Sequence, residues 1–148
     1  MPEENKIILG LKALPIFSEM QDSDIANILS VSVLQFFPAN YFVMRENEPG
    51  DFMCIIKKGQ VEIFKGSDEI GQQKTELAVL ADGEVFGEMA LISNRPRNAS
   101  AKTIDDAEIF ILKKTDFDKF LQENSSLASK ISHDIIERMK KNESTETV

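Results

Sequence analysis

The chain has 148 residues, 42% hydrophobic and 28% charged, with a formal net charge of −8. That length suffices for one compact domain with its own core, and no apolar run approaches the ~20 residues that a membrane-crossing helix needs. The acid excess argues against general affinity for nucleic acid, which requires clustered Lys and Arg. The start, Met1-Pro2-Glu3-Glu4-Asn5, has neither the basic flank nor the apolar core of a signal peptide. The single cysteine, Cys54, has no partner for an internal disulfide. A reducing, cytoplasmic setting fits these features.

In chain order, residues 6–13 predict a short amphipathic helix, interrupted by Leu14-Pro15-Ile16-Phe17. Asp22 is the expected N-cap of a second helix through Leu29, with Ile25, Ile28 and Leu29 on one face. From Val33 the pattern shortens. Runs rich in Val, Ile and Phe at 33–37, 41–45, 52–56, 60–64, 75–80, 99–104 and 108–112 predict strands. Turn-forming clusters such as Pro38-Ala39-Asn40, Pro49-Gly50-Asp51 and Ala81-Asp82-Gly83 separate them. This spacing predicts a mainly β fold, an antiparallel β-roll (jelly roll) over about 33–113, rather than alternating strands and helices. Thr115 or Asp116 is the expected cap of a helix carrying Phe117, Phe120 and Leu121. A last helix over 126–141 bears Leu127, Ile131, Ile135 and Met139 at four-residue spacing, flanked by Ala128 and Ile136. One domain spanning 1–148 is expected, with helices at both ends of the roll.

The richest segment is Phe86-Gly87-Glu88-Met89-Ala90-Leu91 followed by Arg95-Pro96-Arg97-Asn98-Ala99-Ser100. Between Arg95 and Lys102 there are three cations and no acid, so an anion site can be made locally in an acidic chain. Arg97 can offer a phosphate two parallel charge-assisted hydrogen bonds. Glu88 can accept from a sugar hydroxyl. Gly87 lets the backbone approach a ligand without a Cβ in the way. Met89 to Asn94 is expected to form a short helix whose first amides, at Met89 and Ala90, point at the anion. Each residue also has a plain reading: Gly87 as a turn glycine, and Glu88 with Arg97 as a surface ion pair of little energetic weight.

The order of helices, β-roll, Phe86-Gly87-Glu88, Pro96-Arg97-Asn98-Ala99-Ser100, helices resembles the cyclic-nucleotide-binding domain family over residues 6–141. That family includes regulatory subunits of cyclic-AMP-dependent kinase, cyclic-nucleotide-gated channels and bacterial catabolite activators. The resemblance implies a ligand site at Phe86, Gly87, Glu88, Met89, Ala90, Arg97, Asn98 and Ala99. It implies Arg97 on the cyclic phosphate and Glu88 on the 2′-hydroxyl. Asn98 would lie near the base, where its amide suits either purine; cyclic AMP is the expected ligand, with cyclic GMP as the alternative. Asn40 and Asn47 stand where the family usually has turn glycines, and asparagine tolerates the left-handed backbone such turns need.

The resemblance further implies a terminal helix that folds over the ligand. With no Trp and no aromatic residue after Phe120, the lid candidates are aliphatic: Ile135, Ile136 and Met139. Packing of this stripe on the roll or on a partner helix is the competing reading. The chain is expected to act as a sensor on a protein effector in trans, or as a domain of a larger protein. Homodimerisation has no sequence signal. A fold that kept its shape but serves as an interaction domain is the alternative. An enzyme is not expected. His133 is the sole histidine, no metal-ligand spacing exists, and no nucleophile–base–orienter set is visible. No cofactor or metal is expected.

Overall fold

A computed structural model describes residues 3–67, 73–129 and 131. Two helices open the chain, α1 (Glu3–Lys12) and α2 (Asp22–Ser30). Asp22 is not the cap of α2 but its first residue. Gln21 holds the cap position with extended backbone, and the Asp24 carboxylate reaches back to accept its N–H at 3.1 Å. Asp22 instead accepts from Lys12 Nζ at 2.8 Å, which ties the end of α1 to the start of α2.

Eight strands follow: β1 (Val33–Phe37), β2 (Phe42–Met44), β3 (Phe52–Lys58), β4 (Val61–Gly66), β5 (Lys74–Leu80), β6 (Val85–Phe86), β7 (Ser100–Thr103) and β8 (Ala107–Lys113). They form two antiparallel sheets, in the orders β1-β8-β3-β6 and β2-β7-β4-β5. The expected β-roll is therefore present. Seven strands fall on the predicted runs, while β6 was not expected because two residues carry no periodicity. Asn40 and Asn47 have φ of 59° and 72°, the left-handed turns anticipated for them.

Period-two alternation along β3 and β8 feeds two separate cores. Cys54 and Ile56 join Ile109 and Ile111 inside the roll, with Ile63, Phe86, Ala99 and Ala101. Met53, Ile55 and Leu112 face the other way, onto Ile7, Leu11, Phe17, Ile25 and Ile28 of the N-terminal helices. Thr103 fastens the chain between the sheets. Its buried hydroxyl donates to Pro38 O at 2.6 Å and accepts from Tyr41 N–H at 2.8 Å.

Strand β8 runs directly into α3 (Lys114–Glu123). The expected caps Thr115 and Asp116 lie inside its first turn, and Lys113 takes the cap position. A side-chain cap is not needed at Lys114, whose N–H is satisfied by Asp51 O at 2.8 Å. Phe117 meets Phe17 edge-on and, with Phe120, closes the helical core. Of the last predicted helix, the described part is α4 (Ser125–Ala128), and Ile131 packs on the helical core. The lid candidates Ile135, Ile136 and Met139 lie outside the described residues.

Candidate functional site

Strand β6 ends at Phe86, and Gly87 turns the chain with φ of 77° into a 3₁₀ turn, Glu88–Leu91. This replaces the helix expected over Met89–Asn94. The tighter turn has a chemical consequence: Ala90 N–H donates to Gly87 O at 3.2 Å, so that amide is used inside the turn rather than offered to an anion.

Arg97 is held by its backbone from the opposite side. Its N–H donates to Glu48 O at 2.7 Å, its carbonyl accepts from Asn47 N–H at 2.8 Å, and Pro96 bridges to Pro49. The loop making these bonds is itself anchored. Glu46 N–H donates to Ser100 Oγ at 2.9 Å, and its carboxylate accepts from Gly66 N–H at 2.9 Å. The backbone that carries Arg97 is thus fixed by both strands that flank it.

The side chain of Arg97 turns inward and is only 7% exposed, which removes the reading of Arg97 as one half of a surface ion pair. Nη2 donates to Phe52 O at 2.6 Å, Nη1 makes a long contact with Gly87 O at 3.4 Å, and the guanidinium lies 4.6 Å from the Phe52 ring centre. Nε is buried and has no hydrogen-bond partner among the described residues. Two glycines wall the slot. A Cβ at Gly87 would sit 2.8 Å from Nη1, and one at Gly50 would sit 3.1 Å from Nε.

Burial lowers the Arg97 pKa, opposed by Cys54, Asp51 and Glu48. The Cys54 thiol is itself pushed up to about 12 by burial, with Arg97 pulling the other way. The thiol is therefore neutral at physiological pH. A guanidinium stays protonated in proteins, so the slot holds a cation whose Nε–H is unused.

Gly87, Met89, Ala90, Arg97 and Asn98 line one cleft. Arg95 and Pro96 of the segment singled out in the sequence line it too, and Met44, Gly50 and Ser93, which were not anticipated, complete it. Glu88 is half-buried on the same turn. Phe86 and Ala99 do not line the cleft but are buried in the roll's core, beneath it. The cleft encloses about 30 Å³, room for roughly one water. Beyond Arg97 lies a more open hollow of about 230 Å³, bounded by Val43, Met44, Glu48, Pro49 and Phe52. Arg97 lines both and divides them. Among the described residues, no group of His, Cys, Asp or Glu is placed to hold a metal ion, and no helix is long and apolar enough to cross a membrane.

The domain is thus a β-roll with helices at its ends and an arginine buried beside a glycine-turned cleft. A family model described as "Cyclic nucleotide-binding domain" matches residues 34–124, more than half of the chain, and the chain belongs to that family. Among curated proteins it is 28% identical over 107 residues to the "Cyclic AMP receptor protein" of Thermus thermophilus, covering 72% of this chain and 49% of that one. It is 30% identical over 90 residues to "cGMP-dependent protein kinase, isozyme 1" of Drosophila melanogaster, covering 61% and 12%. It is 27% identical over 111 residues to the "cAMP-dependent protein kinase regulatory subunit" of Hypocrea atroviridis, covering 75% and 22%. The chain thus spans half or less of these relatives' lengths. Among solved structures, the N-terminal domain of a transcriptional regulator from Streptomyces coelicolor shares the fold, with a TM-score of 0.76 at 20% identity over 93% of this chain and 97% of that one. The catabolite activator protein of Thermus thermophilus does so with a TM-score of 0.67 at 24% identity, over 86% and 59%.

Proposed function

We propose that this chain is a cyclic-nucleotide receptor module that takes cyclic AMP and signals by repositioning its C-terminal helix. The observation that carries the reading is the Arg97 slot, a buried cation with an unpartnered Nε between two hollows. In this reading Arg97 leaves the carbonyls of Phe52 and Gly87 and gives the cyclic phosphate two parallel hydrogen bonds. Its movement also joins the two hollows, which gives a nucleotide the room that the closed cleft lacks. Glu88 accepts from the ribose 2′-hydroxyl, and Gly87 lets the sugar come close. Met89 and Ala90 line the wall, Asn98 lies by the base, and Phe86 and Ala99 support the site from the core. Ile135, Ile136 and Met139 close over the base, so ligand binding shifts the population towards the closed state.

The choice of cyclic AMP rests on the names of the Thermus and Hypocrea relatives, because Asn98 suits either purine. The module is non-enzymatic, works in the cytoplasm and acts on a protein effector in trans. Calorimetry with cyclic AMP and cyclic GMP, on wild type and Arg97→Ala, tests the reading. Wild type is expected to bind at micromolar concentration or tighter, and Arg97→Ala to lose on the order of 2–4 kcal/mol of binding free energy. Silence with both nucleotides would overturn the reading in favour of an interaction domain.

A further inference from the structure

The two sheets present four edge strands, and three of them are guarded against pairing with another chain. Strand β6 has two residues, and β2 has three with a shift of register. Strand β5 carries Lys74 and Glu76. Strand β1 has none of these protections. Among the described residues it is hydrogen-bonded to β8 on one side only, it has five residues, and all but Phe37 are exposed. Val33 is 58% exposed, Leu34 43% and Phe36 65%. Leu34 and Phe36 stand opposite Phe110 and Glu108 on the outer face of the sheet.

Charge points to the occupant. The chain carries a formal net charge of −8, yet residues 25–44 contain no Asp, Glu, Lys or Arg. The net charge sets two copies against each other as a whole; here the strand that meets its copy carries no charge of its own. An antiparallel edge is also self-complementary about a two-fold axis. Centred on Gln35, it places Leu34 of one copy against Phe36 of the other on one face. Pro38, which lacks an N–H, ends the pairing after Phe37.

We propose that β1 is a self-association edge through which a second copy of this chain adds antiparallel, continuing the sheet β1-β8-β3-β6 across a two-fold axis. A strand of this length spans only ~17 Å. The contact therefore falls below the ~1,200–2,000 Å² of a stable interface, and the dimer is weak, with a dissociation constant on the order of 100 μM.

Sedimentation equilibrium from about 5 μM to about 1 mM tests this, with dimer expected to dominate only at the upper end. Phe36→Lys, at an exposed position, should keep the melting temperature and weaken association at least tenfold. Amide exchange locates the contact. Alternate amides of residues 33–37 already face β8, and the others should gain protection as concentration rises. A monomer throughout, or a dimer untouched by Phe36→Lys, overturns the proposal. Protection of those amides at every concentration also overturns it, since another segment of the same chain would then occupy the edge.

Discussion

Arg97→Met separates what the arginine does for the fold from what it does for a ligand. Burying a guanidinium costs several kcal/mol in lost hydration. In return the folded chain has one short charge-assisted bond to Phe52 O, of about 1.5–3 kcal/mol. It also has a cation–π contact with Phe52, of about 1–2 kcal/mol. The contact with Gly87 O at 3.4 Å adds little, and the unpartnered Nε costs about 1–3 kcal/mol. The balance is near zero or unfavourable. Methionine fills much of the same slot without a charge to desolvate. Without ligand, the variant should unfold at the wild-type temperature or higher; a gain of about 1 kcal/mol would raise the midpoint by roughly 2–4 °C for a domain of this size. With cyclic AMP at a hundredfold excess over the wild-type dissociation constant, wild type should gain about 2.7 kcal/mol and the variant, its affinity weakened by about 2–4 kcal/mol, no more than about 0.9 kcal/mol. Thermal melts with and without nucleotide read both effects. A ligand-free loss above about 2 kcal/mol would refute the reasoning, because Arg97 would then be a structural residue.

Three further outcomes follow from the same structure. Thr103→Val removes a hydroxyl that satisfies both Pro38 O and Tyr41 N–H, and should cost about 2–4 kcal/mol in urea denaturation while leaving nucleotide affinity per folded molecule unchanged. Glu88→Ala should weaken cyclic AMP about tenfold but 2′-deoxy cyclic AMP hardly at all, equivalent to about 1.4 kcal/mol for one hydrogen bond to a charged group; equal losses for both would remove Glu88 from the ribose. Burial raises the folded-state pKa of Cys54 from 9.0 to about 12, so the stability it contributes is complete below pH 9 and is lost as the pH climbs towards 12. The stability difference between wild type and Cys54→Ala, followed by urea denaturation over that range, should therefore shift against wild type; a flat difference would contradict the burial argument.

The strands were legible because alternation of apolar and polar residues is a local signal, and Asn40 and Asn47 betrayed their turns by residue type alone. The capping residues were not. Asp22 and Asp116 look like caps, but Asp24 reaches back to Gln21 and the Asp51 carbonyl serves Lys114, and neither partnership has a local sequence signature. In the cleft, the contiguous members Gly87, Met89, Ala90, Arg97 and Asn98 could be read off one segment. Phe52 and Gly50 could not, because they reach Arg97 through strand packing from more than 40 residues upstream. The closed state of the cleft was equally hidden, since the carbonyls that hold Arg97 inward belong to the backbone and have no letter of their own.

Strand β3 is a partition with one population of side chains on each side: Cys54 and Ile56 inside the roll, Met53 and Ile55 among the helices. Among the described residues, no buried apolar side chain belongs to both interiors. Phe52 opens that partition and supplies the carbonyl that grips Arg97. Two interiors thus meet at one strand, and the residue that holds Arg97 stands at its start.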